Sequence, residues 1–191
     1  RQLVQSINIY EDIFSTAVSG DITIKDTNNM VFNGPIVGEE KLLLKIQTPQ
    51  KSPNQDTIID YTDTPLSVYR LNMVTGQGEN ALLYSLNFTT QEAMRNQSSR
   101  VSQSYKGQPS EIIEKILRDK NYLDSTRRLF VEDTANMTKV VFPNIKPFVA
   151  IKHLTEISNS KQYNQSPAYL FYETTRGFHF RSIDGLSLIH I

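Results

Sequence analysis

The 191 residues predict an α+β protein, a strand-rich first half followed by a smaller section that mixes helices and strands. Three observations carry this. Apolar residues alternate with polar ones in successive short runs from Leu3 to Thr89, which is the period of a half-buried strand. Two stretches after residue 109 instead place their apolar residues at helical spacing. The two kinds of element are segregated along the chain, as expected of an α+β protein or of a β domain followed by an α/β one.

Leu3 to Thr48 reads as strand, turn, strand, turn, strand. Ile7 and Ile9 alternate with Ser6, Asn8 and Tyr10; Ile22 and Ile24 with Asp21, Thr23 and Lys25; Leu42, Leu44 and Ile46 with Lys41, Lys45 and Gln47. Ser19-Gly20-Asp21, Asn28-Asn29 and Asn33-Gly34-Pro35 supply the turn-tolerant residues between these runs. Pro49 to Asp56 is a polar loop, and Thr57 to Tyr61 a short β-branched run. A hairpin follows. Its first strand, from Leu66 to Thr75, has Tyr69, Leu71 and Met73 on one face, Gly76 to Asn80 make the turn, and its second buries Leu82, Tyr84, Leu86 and Phe88.

The character changes at Thr90. Gln91 to Asn96 reads as a short helix, and Gln97 to Gln108 is polar. Ser110 is the expected cap of a helix near residues 110–121, with Ile112, Ile113, Ile116 and Leu117 on its buried face. Glu111 with Lys115 and Glu114 with Arg118 support it as pairs four residues apart. Val140 to Phe142 reads as a strand. Pro147 opens a second helix, near 147–158, with Ala150, Ile151, Leu154 and Ile157 as its stripe. Asn159 to Ser166 is a polar loop, and a C-terminal hairpin over 169–183 turns at Thr174-Thr175-Arg176-Gly177.

Composition narrows the function classes. Twenty basic residues balance twenty acidic ones, which removes the charge argument for a nucleic-acid binder. There is no cysteine, hence no disulfide framework or thiolate site. No apolar run approaches the ~20 residues that span a bilayer, so no membrane insertion is expected. The chain opens on Arg1, almost inside a strand, and is expected to be part of a longer protein. Leu186 to Ile191 reads as a truncated or foreign tail.

A search for chemistry finds little. His153, His179 and His190 have no partner at metal-ligand spacing. His153 is expected to pack or to face solvent, and His179 to sit on the strand face opposite Phe178 and Phe180. The doublets Glu11-Asp12, Glu39-Glu40 and Glu132-Asp133 point to opposite faces of a strand and read as solvated edges or turns, not as the facing pair of a glycosidase. Gly76-Gln77-Gly78 is a turn and not a phosphate cradle. Arg95, Arg100, Tyr105 and Lys106, like Arg127-Arg128, read as solvated loop or protein interface. No catalytic residue, metal ligand or cofactor site is expected. The residues alone end at a β-rich module without visible catalytic groups.

Four phrases reach further: NIYEDIFSTAVSGDITIKDTNN (8–29), RVSQSYKGQPSEIIEKIL (100–117), FPNIKPFVAIKHLTEIS (142–158) and YLFYETTRGFHFRSIDGL (169–186). In this order they resemble the central baseplate hub protein of contractile-tailed bacteriophages, of the marine T4-like kind. The resemblance implies a structural virion protein of the tail baseplate, assembled in the host cytoplasm. It implies a homotrimer whose tube-like β-barrel or sandwich domains mimic a six-fold ring. That ring joins the tail tube protein to a central spike that can carry a lysozyme, alongside other baseplate proteins, with DNA as cargo in the channel. Residues 1–90 would be the first tube-like domain and 91–191 the α/β domain, with a second tube-like domain missing by C-terminal truncation. Thr23, Lys25, Lys41 and Lys45 would face the channel. Tyr105, Lys106, Gly107, Arg176 and Gly177 lie in the best-matching phrases and are the candidate interface residues. The alternatives are a β-rich ligand- or carbohydrate-binding module and an enzyme whose catalytic half is absent.

Overall fold

A computed structural model describes residues 3–27, 34, 36–47, 58–74, 82–163 and 166–187. The chain divides into two compact units. The first comprises Arg1–Glu11 and Val18–Gln91, the second Asp12–Ala17 and Glu92–Ile191. Strands and helices are mixed as the sequence predicts, with strands dominating the first unit.

The first unit is built on a five-stranded antiparallel sheet in the order β1-β2-β7-β6-β3. Its strands are β1 (Leu3–Tyr10), β2 (Ser19–Asp26), β3 (Lys41–Leu42), β6 (Leu66–Val74) and β7 (Leu82–Thr89). β2 lies between β1 and β7, with Ile22 opposite both Ile7 and Leu86. Two residues each from β4 (Lys45–Ile46) and β5 (Ile59–Asp60) form a separate antiparallel ribbon. The core gathers Ile22, Leu44, Tyr61, Leu66, Val68, Tyr84, Leu86 and Phe88, with Ile7, Ile9, Ile24 and Leu71 packed against it.

Three local expectations change. Ser19-Gly20-Asp21 is not a turn but the start of β2. Gly20 is needed there because a Cβ would stand 2.3 Å from the Asn8 carbonyl oxygen and 2.4 Å from the Phe88 ring. The turn lies earlier, where Asp12 caps its own loop by accepting from the Phe14 amide at 2.9 Å. The run Leu42, Leu44, Ile46 is not one strand. The chain leaves β3 and enters β4 with Leu43 exposed and Leu44 buried, the Leu44 carbonyl accepting from the Tyr61 amide at 2.8 Å. Tyr69 is 46% exposed and not in the core. The register of β6 on β7 shifts between Val68 and Arg70, and one extra residue reverses which side faces inward. Leu66, Val68 and then Leu71 therefore point to the core. Asn28-Asn29, Pro35, the loop 49–56 and the turn 76–80 lie outside the described residues, as does the Met73 side chain.

The second unit holds α1 (Gln91–Ser98) from its second residue on, β8 (Val101–Gly107), α2 (Pro109–Arg118), β9 (Leu129–Val131), β10 (Thr138–Ile145), α3 (Pro147–Glu156), β11 (Tyr169–Thr174), β12 (Gly177–Ser182) and α4 (Ile183–Ser187). β8 and β10 form an antiparallel ribbon; β11 and β12 form the expected hairpin, and β9 joins β12 in parallel. Ile112, Ile113, Ile116 and Leu117 of α2 and Ala150, Ile151 and Leu154 of α3 are fully buried, against Phe148, Phe171, Phe178 and Phe180. Both helices begin with proline in the first turn, where its missing N–H costs nothing.

Here too the structure corrects the sequence reading. The cap position of α2 is Gln108, with no side-chain cap bond, and Ser110 lies inside the first turn. Its hydroxyl instead shares a 3.2 Å hydrogen bond with Thr134. The helices end at Arg118 and Glu156, shorter than expected. Residues 101–107 are a strand and not a loop. Val101, Tyr105 and Gly107 are buried while Ser102, Gln103, Ser104 and Lys106 are exposed, so the polar residues mark one face of a ribbon and not an absence of structure.

Candidate functional site

The second unit concentrates its buried charge and its ordered aromatic rings on the three-stranded sheet of β9, β12 and β11. Glu132, directly after β9, has its carboxylate enclosed by distant partners. Oε1 accepts from the hydroxyls of Ser160 at 2.6 Å, Tyr169 at 3.0 Å and Ser182 at 2.9 Å, and Oε2 from the Ser182 amide at 2.9 Å. Burial pushes its pKa up, but these hydrogen bonds outweigh burial and hold the carboxyl below its ordinary value. Burial and the adjacent Glu132 push the Tyr169 hydroxyl up. Glu132 is therefore not a solvated edge residue, while its neighbour Asp133 is exposed as expected.

Arg127 and Glu173 form a buried ion pair at 2.6 Å, with side chains 7% and 0% exposed. Arg127 also donates to the carbonyls of Thr174 and Thr175, both at 3.0 Å. Arg127 is thus an internal clamp on the β11–β12 turn and not a solvated loop residue. On the other side of β12 from Phe178 and Phe180, His179 stacks between Phe130 (4.6 Å, 12°) and Tyr172 (4.8 Å, 3°). Its Nε2 is 3.0 Å from the Thr174 hydroxyl. Arg128 and Arg181 place their guanidinium carbons 4.4 Å and 5.9 Å from the Phe130 ring centre. A cavity of about 220 Å³ beside them is lined by Val131, Glu132, Gln162, Tyr163, Arg181 and Gly185.

The candidate interface residues fall in two places. Tyr105, Lys106 and Gly107 end β8. Tyr105 packs on Phe142 with ring centres 5.9 Å apart, burial pushing its hydroxyl pKa up. Gly107 is buried with φ +153°, and Lys106 is exposed, opposite Lys139. Arg176 lies in the turn of the C-terminal hairpin and Gly177 opens β12, on a different sheet. Arg176 is exposed. Gly177 is buried at φ +137°, and a Cβ there would stand 2.3 Å from the Arg128 carbonyl oxygen. That close approach lets the Phe178 amide bond the same carbonyl at 2.8 Å and seats β9 on β12.

The other charged residues singled out in the sequence have local duties. Arg95 holds the carbonyls of Tyr122 and Lys120 and pairs with Asp124 at 3.3 Å. Glu40 accepts from the amides of Val37 and Gly38, which hold its carboxyl below the usual range. His153 meets the edge of Phe142 at 6.1 Å and Glu156 at 4.0 Å. His190 lies outside the described residues. Among the described residues no three of His, Asp and Glu stand together as a metal-holding group, and no helix is long and apolar enough to cross a membrane.

In the sequence Glu132 and Arg127 read only as solvated or interface charges, and neither their burial nor their partners is foreseen there. Their partners lie 28 to 50 residues away along the chain, and no local pattern points to them.

The fold itself has counterparts: it is an α+β fold found in phage tail proteins. The structure aligns with the 43 kDa tail protein of prophage MuSo2 from Shewanella oneidensis at a TM-score of 0.56 and 7% identity, over 94% of this chain and 52% of that one. It aligns equally well, at 0.56 and 15% identity, with the tail protein from Neisseria meningitidis MC58, over 91% of this chain and 44% of that one. The chain thus spans about half the length of the structures it matches. No protein-family model matches the sequence, and no curated protein matches it.

Proposed function

We propose that this chain is part of a structural component of a contractile phage-type tail, the central baseplate hub that joins the tail tube to the spike. The observation that carries the reading is the alignment of more than nine-tenths of the chain with two tail proteins, both about twice its length. The four sequence phrases that resemble the hub family span nearly the same extent and supply the position within the tail. On this reading residues 1–90 are a tube-like domain and 91–191 the α/β domain. The complete protein is a homotrimer in the virion baseplate, assembled in the host cytoplasm. It meets the tube protein, the spike and other baseplate proteins while DNA passes through its channel.

The physical chemistry agrees with a binding role. β1 and β3 are the outer strands of the five-stranded sheet, and pairing or covering such edges in a ring is one way to protect them. Two perturbed groups of the second unit are committed to internal hydrogen bonds: Glu132 is enclosed by hydroxyls and an amide, and Tyr169 is bonded to it. Purified complete protein should be inert in peptidoglycan, glycan and nuclease assays. The cavity beside Glu132, at about 220 Å³, is smaller than the ~300–1,000 Å³ of common ligand pockets and lends no weight to a carbohydrate-binding module.

Sedimentation of the complete protein, with and without its spike partner, tests the assignment. A trimer is expected in at least one condition at micromolar concentration. A monomer in both overturns the hub reading.

A further inference from the structure

The face of the β9–β12–β11 sheet that carries His179 gathers two arginines over one ring. Arg128 is exposed and Arg181 half-buried, and neither makes a salt bridge among the described residues. Cation–π attraction to Phe130 positions both guanidinium groups but neutralises neither. The ring cannot swing away, because Phe130, His179 and Tyr172 stand opposite one another in register across three strands and stack face to face. The backbone beneath Arg128 is fixed by the bond from Phe178 to its carbonyl. Two acidic side chains of this sheet region are already engaged. Glu173 is paired with Arg127, and Glu132, which lines the same cavity as Arg181, is saturated by Ser160, Tyr169 and Ser182. Like charges have been brought together and held, with their donors free to bind an anion from outside.

We propose that Arg128, Phe130 and Arg181 form a docking site for a carboxylate side chain on an acidic segment of a protein partner. Guanidinium groups match a carboxylate with paired N–H donors, and a ring-stacked guanidinium loses little freedom on binding. The adjoining cavity has room for one side chain, with Gln162 and Tyr163 as further lining. Nucleic acid fits this face less well. Phe130 is covered by Arg128 and His179 on its faces, and Tyr172 backs His179, so the stack offers no platform between its members for a base. The site goes beyond the tail reading and stands without it: a monomeric complete protein would leave it intact.

The test is an NMR titration of the labelled chain, read at the backbone amides of residues 128, 130 and 181 in every variant and also at the arginine Nε–H signals in the parent, with a hexaglutamate peptide as probe. Hexaglutamine and a single-stranded oligothymidylate serve as comparisons. Saturable shifts at Arg128 and Arg181 are expected with hexaglutamate only, and they should weaken as salt is added. The double variant R128K/R181K keeps the charge and loses the planar fork; it should bind about tenfold more weakly. Phe130→Leu should weaken binding several-fold while both arginines remain, and a well-dispersed spectrum checks that each variant is folded. Absence of saturable shifts, equal binding by the lysine variant, or tighter binding of the oligothymidylate at these arginines overturns the proposal.

Discussion

Replacing Glu132 by glutamine removes one charge and one acceptor from the centre of the second unit while keeping the shape. The hydroxyl bonds from Ser160 and Tyr169 lose their charge assistance, about 1 kcal/mol each. The Ser182 amide, on a residue 0% exposed, meets an N–H where it had an oxygen, and an unsatisfied buried donor costs about 1–3 kcal/mol. The amide can turn over and relieve part of this, because the Tyr169 hydroxyl has a second acceptor in the Asp133 carbonyl at 3.1 Å. Roughly 3 kcal/mol of destabilisation at pH 7 is therefore expected. The sign with pH follows from the lowered carboxyl. Its contribution is complete above the unfolded carboxylate value and fades as pH falls through the lower folded value. The gap between the parent and Glu132→Gln should thus close in acid. Urea unfolding followed at the Ile151 and Leu154 methyl signals reads the second unit alone. Equal stability at pH 7, or a gap that does not change with pH, would refute this account of Glu132.

Leu86→Ala should cost roughly 2–5 kcal/mol, since Leu86 sits 8% exposed in the core of the first unit; unfolding read at the Ile22 methyls should show it while those of Ile151 stay unchanged. Gly177→Ala should loosen the β9–β12 pairing, because the new Cβ meets the Arg128 carbonyl at a φ of +137°; faster amide exchange at Phe178 is the readout, and unchanged protection would count against the close approach. Glu173→Ala leaves the Arg127 guanidinium buried without its carboxylate and should cost roughly 3–5 kcal/mol; a loss below about 1 kcal/mol would mean that the carbonyls of Thr174 and Thr175 suffice.

Periodicity made part of this molecule legible and hid the rest for a physical reason. Alternation reports which side of a strand is buried, so Tyr84, Leu86 and Phe88 were readable, as were the apolar stripe of α2 and the C-terminal hairpin. It reports nothing about an added residue that reverses the pattern. The shift between Val68 and Arg70 therefore placed Tyr69 on the wrong side. It also fails where one face of a strand is wholly polar, as in residues 101–107, or where a strand is three residues long and pairs in parallel with a distant one, as β9 does with β12. Buried charges are the least legible. Arg127 looks like any surface arginine until Glu173, 46 residues later, is brought against it.

The excursion of Asp12–Ala17 into the second unit has a consequence for how the chain is made. These six residues leave the ribosome early, yet the core that Ala17 packs on and the Glu173 amide that donates to the Ser15 carbonyl at 3.4 Å are synthesised much later. The early segment has to wait, tethered between β1 and β2, until the C-terminal hairpin exists. The second unit therefore closes by a contact of high sequence separation, the kind that slows folding. A break in translation before residue 173 would release a chain whose first sheet is written in full but whose second unit still lacks the contact from Glu173 to Ser15.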